Sequence, residues 1–398
     1  MDGKENGGSV FTDHQGVVAA NGDHVVQAES YPVLVDKKVA QRELRRGRSG
    51  LNIAKPWLIW PVLVISIVVG GMSGPVTVAL IMAAPISCAG WRHQVSALVM
   101  LPFFIFQWRK LQKCDRSKAC SIQSLGLFFL SGLFLSGECG FYLLALNHTS
   151  MIHALVLCCM SPIFVAIYTK ITGGVLMTKE ILGVGLGVLG VGLLAAGTKV
   201  EKDNQSSYLG DFIALFSSLS MAGYFAVGKK LRRWMPLFVY QFPVAFIAAI
   251  ILGAVGLLLE GWNNNVDDGN ISGPFGWFRK EYFLQTVFLG IGPGVVGHAG
   301  YNFVLRYLSP LVVPTGISLQ PIIGSTIGWL VGESPIPGIM TVLGAAVTLQ
   351  GTLLVSFASA EKMSENVETK EEEYKQPATD DEEGQRGTKP LLQPSDLP

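Results

Sequence analysis

Charged side chains are scarce in this sequence, and neither sign predominates. Asp, Glu, Lys and Arg make up 15% of the 398 residues, whereas hydrophobic residues make up 49%. Soluble domains carry about 25% charged residues, so this composition disfavours a soluble enzyme. The 30 Lys and Arg residues are balanced by 29 Asp and Glu residues. Because nucleic-acid-binding chains usually carry a strong basic excess, we expect no nucleic-acid partner.

Motifs for nucleotide hydrolysis, soluble catalysis and metal binding are also missing. Gly228-Lys229-Lys230 lacks the Ser or Thr that ends a phosphate-binding loop, which disfavours ATP-driven pumping by this chain alone. The six cysteines show neither metal-ligand spacing nor a disulfide framework. We therefore expect no enzyme activity, no cofactor and no metal site.

Long apolar runs, in contrast, fill the chain between Trp57 and Ser359. A run of roughly 20 residues is long enough to cross the hydrocarbon core of a bilayer as a helix. Ten such runs can be marked, at 57–80, 86–107, 122–145, 150–170, 181–198, 208–228, 237–259, 283–306, 310–331 and 338–358. They predict an all-α integral membrane protein with ten transmembrane helices.

Polar segments flank this apolar region. Residues 1–55 end in a basic stretch, and residues 360–398 carry acidic runs. Such segments cannot bury enough apolar surface to offset chain entropy, so both are predicted to be disordered tails. Between them, residues 56–199 and 207–359 each hold five of the predicted helices.

Basic residues indicate the orientation in the membrane. Lys and Arg concentrate in the first tail and in loops after even-numbered helices, such as 109–118 and 229–233. Basic loops stay on the cytosolic side, so we expect both termini in the cytosol. The sequons at Asn204 and Asn270 fall in odd-numbered loops and are candidate glycosylation sites. The choice between plasma membrane and endomembrane stays open, as does the oligomeric state.

The two halves resemble each other at a constant offset of 159 residues. The residues Tyr142, Ser150, Pro162 and Gly173 align with Tyr301, Ser309, Pro321 and Gly332. An odd number of spans inverts the second copy relative to the first. Inverted repeats around a site near the midplane are typical of secondary transporters. The repeat therefore predicts two inverted five-helix units and favours a transporter over a channel or a scaffold.

These features resemble the EamA-type repeat of the drug/metabolite transporter superfamily. The matching residues of the second half are Gly210-Asp211, Tyr301 to Leu308, Ser309-Pro310, Leu319-Gln320-Pro321, Trp329-Leu330 and Gly332-Glu333. In the first half Trp91-Arg92 and Ala145 to Ser150 fit, whereas Gly173-Gly174 stands where Gly-Glu is usual. The resemblance implies alternating access for small organic solutes. Its members export amino acids, metabolites or drugs, and relatives exchange nucleotide sugars or phosphorylated sugars.

Two ionisable residues fall well inside apolar runs, Glu138 in the third and His298 in the eighth. Ionisable groups are costly in the bilayer core and often mark transport pathways. The repeat offset takes Glu138 to position 297, so the two residues are nearly equivalent and are predicted to face one central cavity. A carboxylate beside an imidazole would suit proton coupling. Each side chain could instead have a purely structural role, with its hydrogen bonds made to neighbouring helices. An intramembrane enzyme that uses these two residues is a less favoured alternative.

Further polar residues share helix faces with this pair. Tyr301 and Asn302 follow His298 by three and four residues, and Tyr142 follows Glu138 by four. Residues at these spacings lie on one side of a helix. Gln320 precedes a proline, which frees a backbone carbonyl near a polar side chain. The predicted substrate or proton pathway therefore consists of Glu138, His298, Tyr142, Tyr301, Asn302 and Gln320.

Glycine and proline indicate packing and hinge positions. Glycine accounts for 46 residues. Small residues let membrane helices approach closely, which is the expectation for Gly183 and Gly187. Glycine beside proline loosens a helix and could let it bend during transport. The hinge candidates are Gly74, Pro75, Gly292, Pro293 and Gly294, together with Pro162 and Pro321.

The predicted substrate is a neutral, zwitterionic or weakly cationic organic solute, such as an amino acid, a nucleobase or a drug-like metabolite. Carriers of phosphorylated compounds need Lys or Arg to neutralise phosphate. The middles of the runs contain neither, since Arg92 and Arg306 are placed near run ends. An organic-anion or nucleotide-sugar exchanger is the alternative among transporters. A membrane scaffold that recruits partners through its tails is the alternative from another class.

Overall fold

The computed structural model describes residues 56–73, 76, 84–149, 151–196, 208–263, 271–330 and 338–375. All of them belong to one unit, Ile53–Pro398. The predicted N-terminal tail, the sequons at Asn204 and Asn270, and the hinge candidates Gly74 and Pro75 lie outside the described residues. What the sequence predicts for them therefore stays a prediction.

The elements that the described residues form are helices. In the first half they are α1 (Pro56–Gly71), α2 (Pro85–Lys110), α3 (Lys113–Ala119), α4 (Ile122–Leu146), α5 (Met151–Cys158), α6 (Ser161–Ile171) and α7 (Thr178–Ala196). In the second half they are α8 (Tyr208–Arg232), α9 (Leu237–Leu259), α10 (Lys280–Leu289), α11 (His298–Leu305), α12 (Val312–Ile317), α13 (Gln320–Leu330) and α14 (Ile339–Lys375). A 3-10 turn, Gly276–Phe278, precedes α10, and a π-helical segment, Gly290–Gly297, joins α10 to α11.

Several of these helices are suited to a membrane by length and composition. The five that are long and apolar enough to cross it are Ile122–Leu146, Thr178–Ala196, Tyr208–Arg232, Leu237–Leu259 and Ile339–Lys362. Large apolar side chains, among them Phe103, Phe129, Leu189 and Leu258, point out of the bundle. An extensive apolar outer surface marks contact with lipid or a partner. The chain is therefore an integral membrane protein, whereas the count of ten spans stays a prediction.

Three of the predicted spans are interrupted, although each apolar run predicted a single helix. The fourth is divided into α5 and α6 in front of Pro162, and the ninth into α12 and α13 in front of Pro321. Proline has no backbone N–H with which to continue the hydrogen-bond ladder of a helix. The eighth span widens into the π-helical segment, which contains Pro293.

The helices α7 and α14 pack almost backbone to backbone. A Cβ atom added to Gly183 would lie 2.7 Å from the carbonyl oxygen of Gly351. One added to Gly190 would overlap the backbone nitrogen of Thr348, and one added to Gly351 would lie 2.6 Å from the backbone nitrogen of Gly187. Because a side chain at these positions would separate the helices, glycine sets their spacing.

The remaining long helices surround the largest buried apolar cluster. Helix α4 packs on α8, α2 packs on α9, and α1 packs on α11 and on the π-helical segment. The cluster includes Leu135 of α4, Tyr224 of α8, Tyr240 of α9 and Leu305 of α11. Helices of both halves thus contribute to one core, and the polar residues described below lie on these same helices.

The last helix extends beyond the boundary predicted for the acidic tail. Helix α14 continues to Lys375, whereas the last predicted helix ends at residue 358; the prediction of a disordered acidic tail stays a prediction. Two ion pairs, Lys179–Glu361 and Lys362–Glu180, attach the start of this extension to α7. Each joins residues 182 positions apart in the chain, which is why local composition did not reveal them.

Candidate functional site

Arg92 and His298 are in direct contact between two helices. Arg92 lies in α2, and Nη2 of its guanidinium is 3.0 Å from Nε2 of His298 in α11. Arginine can only donate hydrogen bonds, so Nε2 of the imidazole accepts and Nδ1 carries the hydrogen. Nδ1 is buried and has no hydrogen-bond partner among the described residues. The contact therefore leaves one imidazole N–H unused inside the bundle.

Glu138 lies near this pair with an unused carboxylate oxygen. Its Oε2 atom is buried and has no partner among the described residues. Nη1 of Arg92 lies 3.9 Å from Sγ of Cys139, the residue that follows Glu138 in α4. Within the described part of the chain, neither side chain belongs to an ion pair. Two opposite charges thus share one region without bonding to each other.

The backbone holds Glu138 in position. Oγ of Ser217 in α8 donates a 2.7 Å hydrogen bond to the carbonyl oxygen of Glu138. A Cβ atom added to Gly137 would lie 2.8 Å from Oγ of Ser220, because α4 and α8 pack closely here. The carboxylate is therefore placed by helix packing, and its Oε2 atom is not used for this purpose.

A hydrogen-bonded cluster of neutral side chains adjoins His298. Nδ2 of Asn302 donates to the hydroxyl of Tyr224, to Oε1 of Gln241 at 2.9 Å and to the backbone oxygen of His298 at 2.9 Å. The Gln241 amide also donates to the Tyr224 hydroxyl at 3.1 Å. The cluster joins α8, α9 and α11, and it supports the first turn of α11, on which His298 lies.

Tyr301 connects α11 to two further helices. Its hydroxyl donates to the backbone oxygen of Ser66 in α1 at 2.8 Å and accepts from Nε2 of Gln320 in α13 at 2.7 Å. Its ring centroid lies 6.0 Å from that of His298. A Cβ atom on Gly70 would overlap the Gln320 amide, so the close approach of α1 requires glycine there.

The structure brings several of the predicted pathway residues together. His298, Tyr301 and Asn302 are the first, fourth and fifth residues of α11, and Gln320 joins them through the hydroxyl of Tyr301. Glu138 and Tyr142 lie one turn apart in α4, and Cys139, next to Glu138, lies 3.9 Å from Nη1 of Arg92. Among the described residues, three or more His, Cys, Asp or Glu side chains nowhere form a group that could hold a metal ion.

Arg92 belongs to this region although it was not among the predicted pathway residues. It is the eighth residue of the 26-residue helix α2, toward the start of its apolar run, and it contacts His298. A basic side chain near the end of a run therefore reaches the polar residues of α11. A hydropathy pattern records only the local sequence, so it does not reveal a contact with a residue far away in the chain. The motif Trp91-Arg92 in the family resemblance was the one signal for this position.

The hinge candidates of the eighth span differ in their surroundings. Oγ of Ser96 in α2 donates to the carbonyl oxygen of Gly290, at the start of the π-helical segment, at 2.9 Å. A Cβ atom on Gly294 would overlap this Oγ atom, whereas one on Gly292 would lie 3.4 Å from Cγ1 of Val69, an ordinary contact distance. Gly294 therefore packs against α2, and Gly292 has room for a small side chain.

A second buried carboxylate, which the sequence analysis did not single out, lies where α7 meets α14. Glu180 is fully buried; its Oε1 accepts from Oγ of Ser309 at 2.9 Å, and its Oε2 accepts from the backbone of Met177 and from Lys362. A cavity of about 210 Å³ adjoins this network and is lined by Lys229, Ser309 and Lys362. The network joins the segment before α7 to the loop before α12 and to α14.

The N-terminal part of α2 is covered by the end of α9 and by the segment that precedes α10. Glu260, at the end of α9, accepts hydrogen bonds from the backbone nitrogens of Ile86 and Ser87 at 2.7 and 2.8 Å. A carboxylate is favourable at the positive N-terminus of a helix. Nε1 of Trp91 donates to the carbonyl oxygen of Gly273 at 2.7 Å, and Nε1 of Trp277 donates to Gln94 at 2.8 Å. This cover fixes the part of α2 that carries Arg92.

Comparison with known proteins agrees with the sequence resemblance. Residues 208–357 match the EamA-like transporter family. An uncharacterized transporter of Bacillus subtilis, YyaM, is 25% identical over 278 residues, which are 69% of this chain and 85% of that protein. An uncharacterized transporter of Archaeoglobus fulgidus is 22% identical over 276 residues, which are 68% of this chain and 88% of that protein.

A solved structure shares the fold. A chain described only as the crystal structure of a protein superposes with a TM-score of 0.61 and 15% identity, covering 77% of this chain and 99% of that chain. The apolar helices, the family match over residues 208–357 and the transporter relatives point to one class of protein. The chain is a multi-pass membrane protein that carries an EamA-like transporter domain at residues 208–357, and it is similar to proteins named as transporters over about two thirds of its length.

Proposed function

We propose that the protein carries a small organic solute by alternating access, as a secondary-active transporter, and that the solute binds between Arg92, Glu138 and His298. The observation that carries the proposal is the presence of two opposite charges that share this region without bonding to each other. Moving a charge out of water costs several kcal/mol unless the charge is paired. A bound solute would supply the missing partners.

The same proposal includes ten spans in two inverted repeats. Helices α6 and α13 both have 11 residues and begin at positions separated by the repeat offset of 159, Ser161 and Gln320. In the repeat, α1 is equivalent to α8, α2 to α9, α4 to α11 and α7 to α14. Exchanging the halves therefore turns the contact of α1 with α11 into that of α8 with α4, and it leaves the contacts α2–α9 and α7–α14 unchanged. This pattern of contacts supports a two-fold relation between the halves, with the candidate site between them.

Glu138 and His298 are nearly equivalent in the two halves. The offset takes Glu138 to Gly297, one residue before His298 and the last residue of the π-helical segment Gly290–Gly297. A π turn accommodates one more residue than an α turn, so the side chains in this segment are rotated about the helix axis relative to their counterparts in the regular helix α4.

Proton coupling through Glu138 is a further part of the proposal. A carboxylate that holds either a proton or a cationic group of the solute would exchange one for the other across the membrane. His298 would contribute a neutral N–H, since its Nε2 atom accepts from Arg92. The other titratable side chains around the imidazole are His93, Tyr224 and Tyr301, with ring centroids 6.4, 5.9 and 6.0 Å away.

The position of Arg92 also bears on the substrate class. A weakly cationic solute without an anionic group would meet a like charge at Arg92, and an organic anion without a cationic group would meet one at Glu138. The organic-anion exchanger is the second candidate, and Arg92 is the observation that favours it. The proposed orientation is the same for both candidate functions, with the basic loops and the termini in the cytosol. In this orientation the Glu180 network lies at the cytosolic ends of α7 and α14.

Counterflow in proteoliposomes tests the proposed function. The full chain is reconstituted, loaded with one unlabelled solute from a panel of amino acids, nucleobases, organic acids and sugar nucleotides, and exposed to the labelled form. We expect saturable uptake for at least one class, and loss of that uptake in the double variant Arg92→Ala/Glu138→Ala. Absence of saturable uptake for the whole panel would overturn the proposal and favour the scaffold.

A further inference from the structure

We infer that the cavity beside the Glu180 network is a binding site for a phosphate group, carried either by free phosphate or by the headgroup of a phospholipid. The cavity has a volume of about 210 Å³ and lies among the ends of α6 and α8, the segments before α7 and α12, and α14. None of the predicted pathway residues is among the described residues that line it. The inference therefore goes beyond the proposed function and does not depend on it.

Lys229, near the end of α8, gives the cavity a positive charge that no carboxylate neutralises. Its Nζ atom donates to the carbonyl oxygens of Leu305 and Leu308 at 2.8 and 2.9 Å. Within the described part of the chain it forms no ion pair. An ammonium group has three hydrogens to donate, so one is left after these two bonds. Because Lys229 lines the cavity, this hydrogen and the charge are available to a ligand there.

The second lysine in the wall, Lys362 of α14, is already neutralised. It pairs with Glu180, and its Nζ atom also donates to the carbonyl oxygen of Val175 at 2.8 Å. Glu180 does not line the cavity, and its other carboxylate oxygen accepts from Ser309. The described lining residues include neither Asp nor Glu. The charge of Lys229 therefore remains, and it attracts an anion into the cavity.

A buried hydroxyl offers a further donor on another helix. Oγ of Ser359 in α14 accepts from the backbone nitrogen of Ser309 at 2.8 Å, and its own hydrogen has no acceptor among the described residues. Ser359 lines the cavity together with Lys229. A phosphate group carries several strongly accepting oxygens that point in different directions, so it can reach donors on α8 and on α14 at once. A carboxylate has its two oxygens in one plane and suits donors on separate helices less well.

The ligand would join the two halves of the chain. Thr169 and Val175 of the first half line the cavity, as do Lys229 and Lys362 of the second half. In the proposed orientation the cavity lies on the cytosolic side, where anionic headgroups gather in the adjacent leaflet. Free phosphate and a phospholipid headgroup are both present on that side, and they offer Lys229 the same chemistry.

Binding of inorganic phosphate to the full chain tests the site directly. The protein is placed in nanodiscs of dioleoylphosphatidylcholine and dialysed to equilibrium against radiolabelled phosphate, with the ionic strength held constant by sodium chloride. We expect saturable binding of one phosphate per chain. Lys229→Gln should weaken it at least about tenfold, because a charged hydrogen bond is lost. Lys229→Arg should keep it, as should Lys230→Gln, which removes an exposed charge that does not line the cavity.

A second pair of variants tests the cavity without removing the bonds that Lys229 makes to α11. Thr169, which is half-buried in the wall, is replaced by Glu or by Gln. Both variants lose the hydrogen bond from Thr169 to the carbonyl oxygen of Val165, and they differ only in charge. We expect Thr169→Glu to abolish phosphate binding by repelling the anion, and Thr169→Gln to retain more of it.

A lipid arm identifies the source of the phosphate group. The protein is purified from membranes that contain dioleoylphosphatidate, and the lipid retained after detergent exchange is counted by mass spectrometry for the wild type and for Lys229→Gln. Retention that depends on Lys229 identifies a headgroup, whereas dialysis binding without such retention identifies the free ion; either result supports the site. If neither probe binds the wild type, the inference is overturned. Equal binding in the wild type and in Lys229→Gln and Thr169→Glu that elute as folded protein would mean an adventitious ion only, and would also overturn it.

Discussion

The guanidinium of Arg92 lies 3.0 Å from Nε2 of His298, although the two residues are 206 positions apart in the chain. This contact joins α2 of the first half to α11 of the second half. It makes the imidazole an acceptor toward the arginine and leaves Nδ1–H as a donor. In the proposed function, Glu138 exchanges the proton, and Arg92 with His298 is available to an anionic group of the solute.

Replacement of Glu138 by Gln should remove the pH dependence of transport. The variant keeps the shape of the side chain but cannot exchange a proton, so its residual counterflow should be flat from about pH 5 to pH 8, whereas wild-type counterflow varies. The exposed Glu281→Gln on α10 is the matched control and should keep the wild-type profile. A pH profile in Glu138→Gln equal to that of the wild type would remove Glu138 from proton coupling.

Replacement of Gly190 by Val should destabilise the protein, whereas Gly185→Val should not. A Cβ atom at Gly190 overlaps the backbone of α14, whereas one at Gly185, on the same helix, meets nothing within 4 Å. The cost of overpacking is about 1–3 kcal/mol. Thermal unfolding in detergent measures both variants. Equal stability of the two would show that α7 and α14 do not need close backbone contact.

Replacement of Lys362 by Met should be far more costly than that of Lys179 by Met. Lys362 pairs with the fully buried Glu180, whereas Lys179 pairs with Glu361 and is 51% exposed. Breaking a buried pair leaves an unpaired charge at a cost of about 3–5 kcal/mol, and exposed pairs contribute at most about 1 kcal/mol.

The double variant Lys362→Met/Glu180→Gln is the internal check on that pair. It removes both charges together, so it should recover much of the stability lost in the single Lys362 variant. The unfolding temperatures of Lys362→Met, Lys179→Met and the double variant are each compared with that of the wild type, in detergent and at one protein concentration. A double variant less stable than Lys362→Met would mean that Glu180 acts mainly through Ser309 and the Met177 backbone.

Replacement of Gly292 by Ala should slow transport without unfolding the protein. The position accepts a Cβ atom at an ordinary distance from Val69, and alanine would stiffen the wide turn beside Pro293. We expect a several-fold lower turnover with an unchanged half-saturating concentration, as measured by initial rates of counterflow. Gly185→Ala is the control, and wild-type turnover in Gly292→Ala would count against a hinge at this position.

Much of the fold could be predicted from the sequence because apolar runs and prolines act locally. The runs located the long helices α4, α7, α8 and α9 to within a few residues. Pro162 and Pro321 lie where the fourth and ninth spans divide, at positions that the repeat offset relates. The helical extension to Lys375 was missed, because its ion pairs connect distant parts of the chain.

The sequence by itself determined that the chain is a membrane protein that carries EamA-type motifs, since low charge, apolar runs and motifs are properties of the residues alone. It also identified Glu138 and His298, because an ionisable group inside an apolar run stands out. Only the tertiary structure decided what these groups face. Arg92 contacts His298 and lies near Glu138 because α2, α4 and α11 converge, and no local pattern encodes a contact across 206 residues. The energy of a buried charge depends on such neighbours, so the site became visible only once the helices were packed.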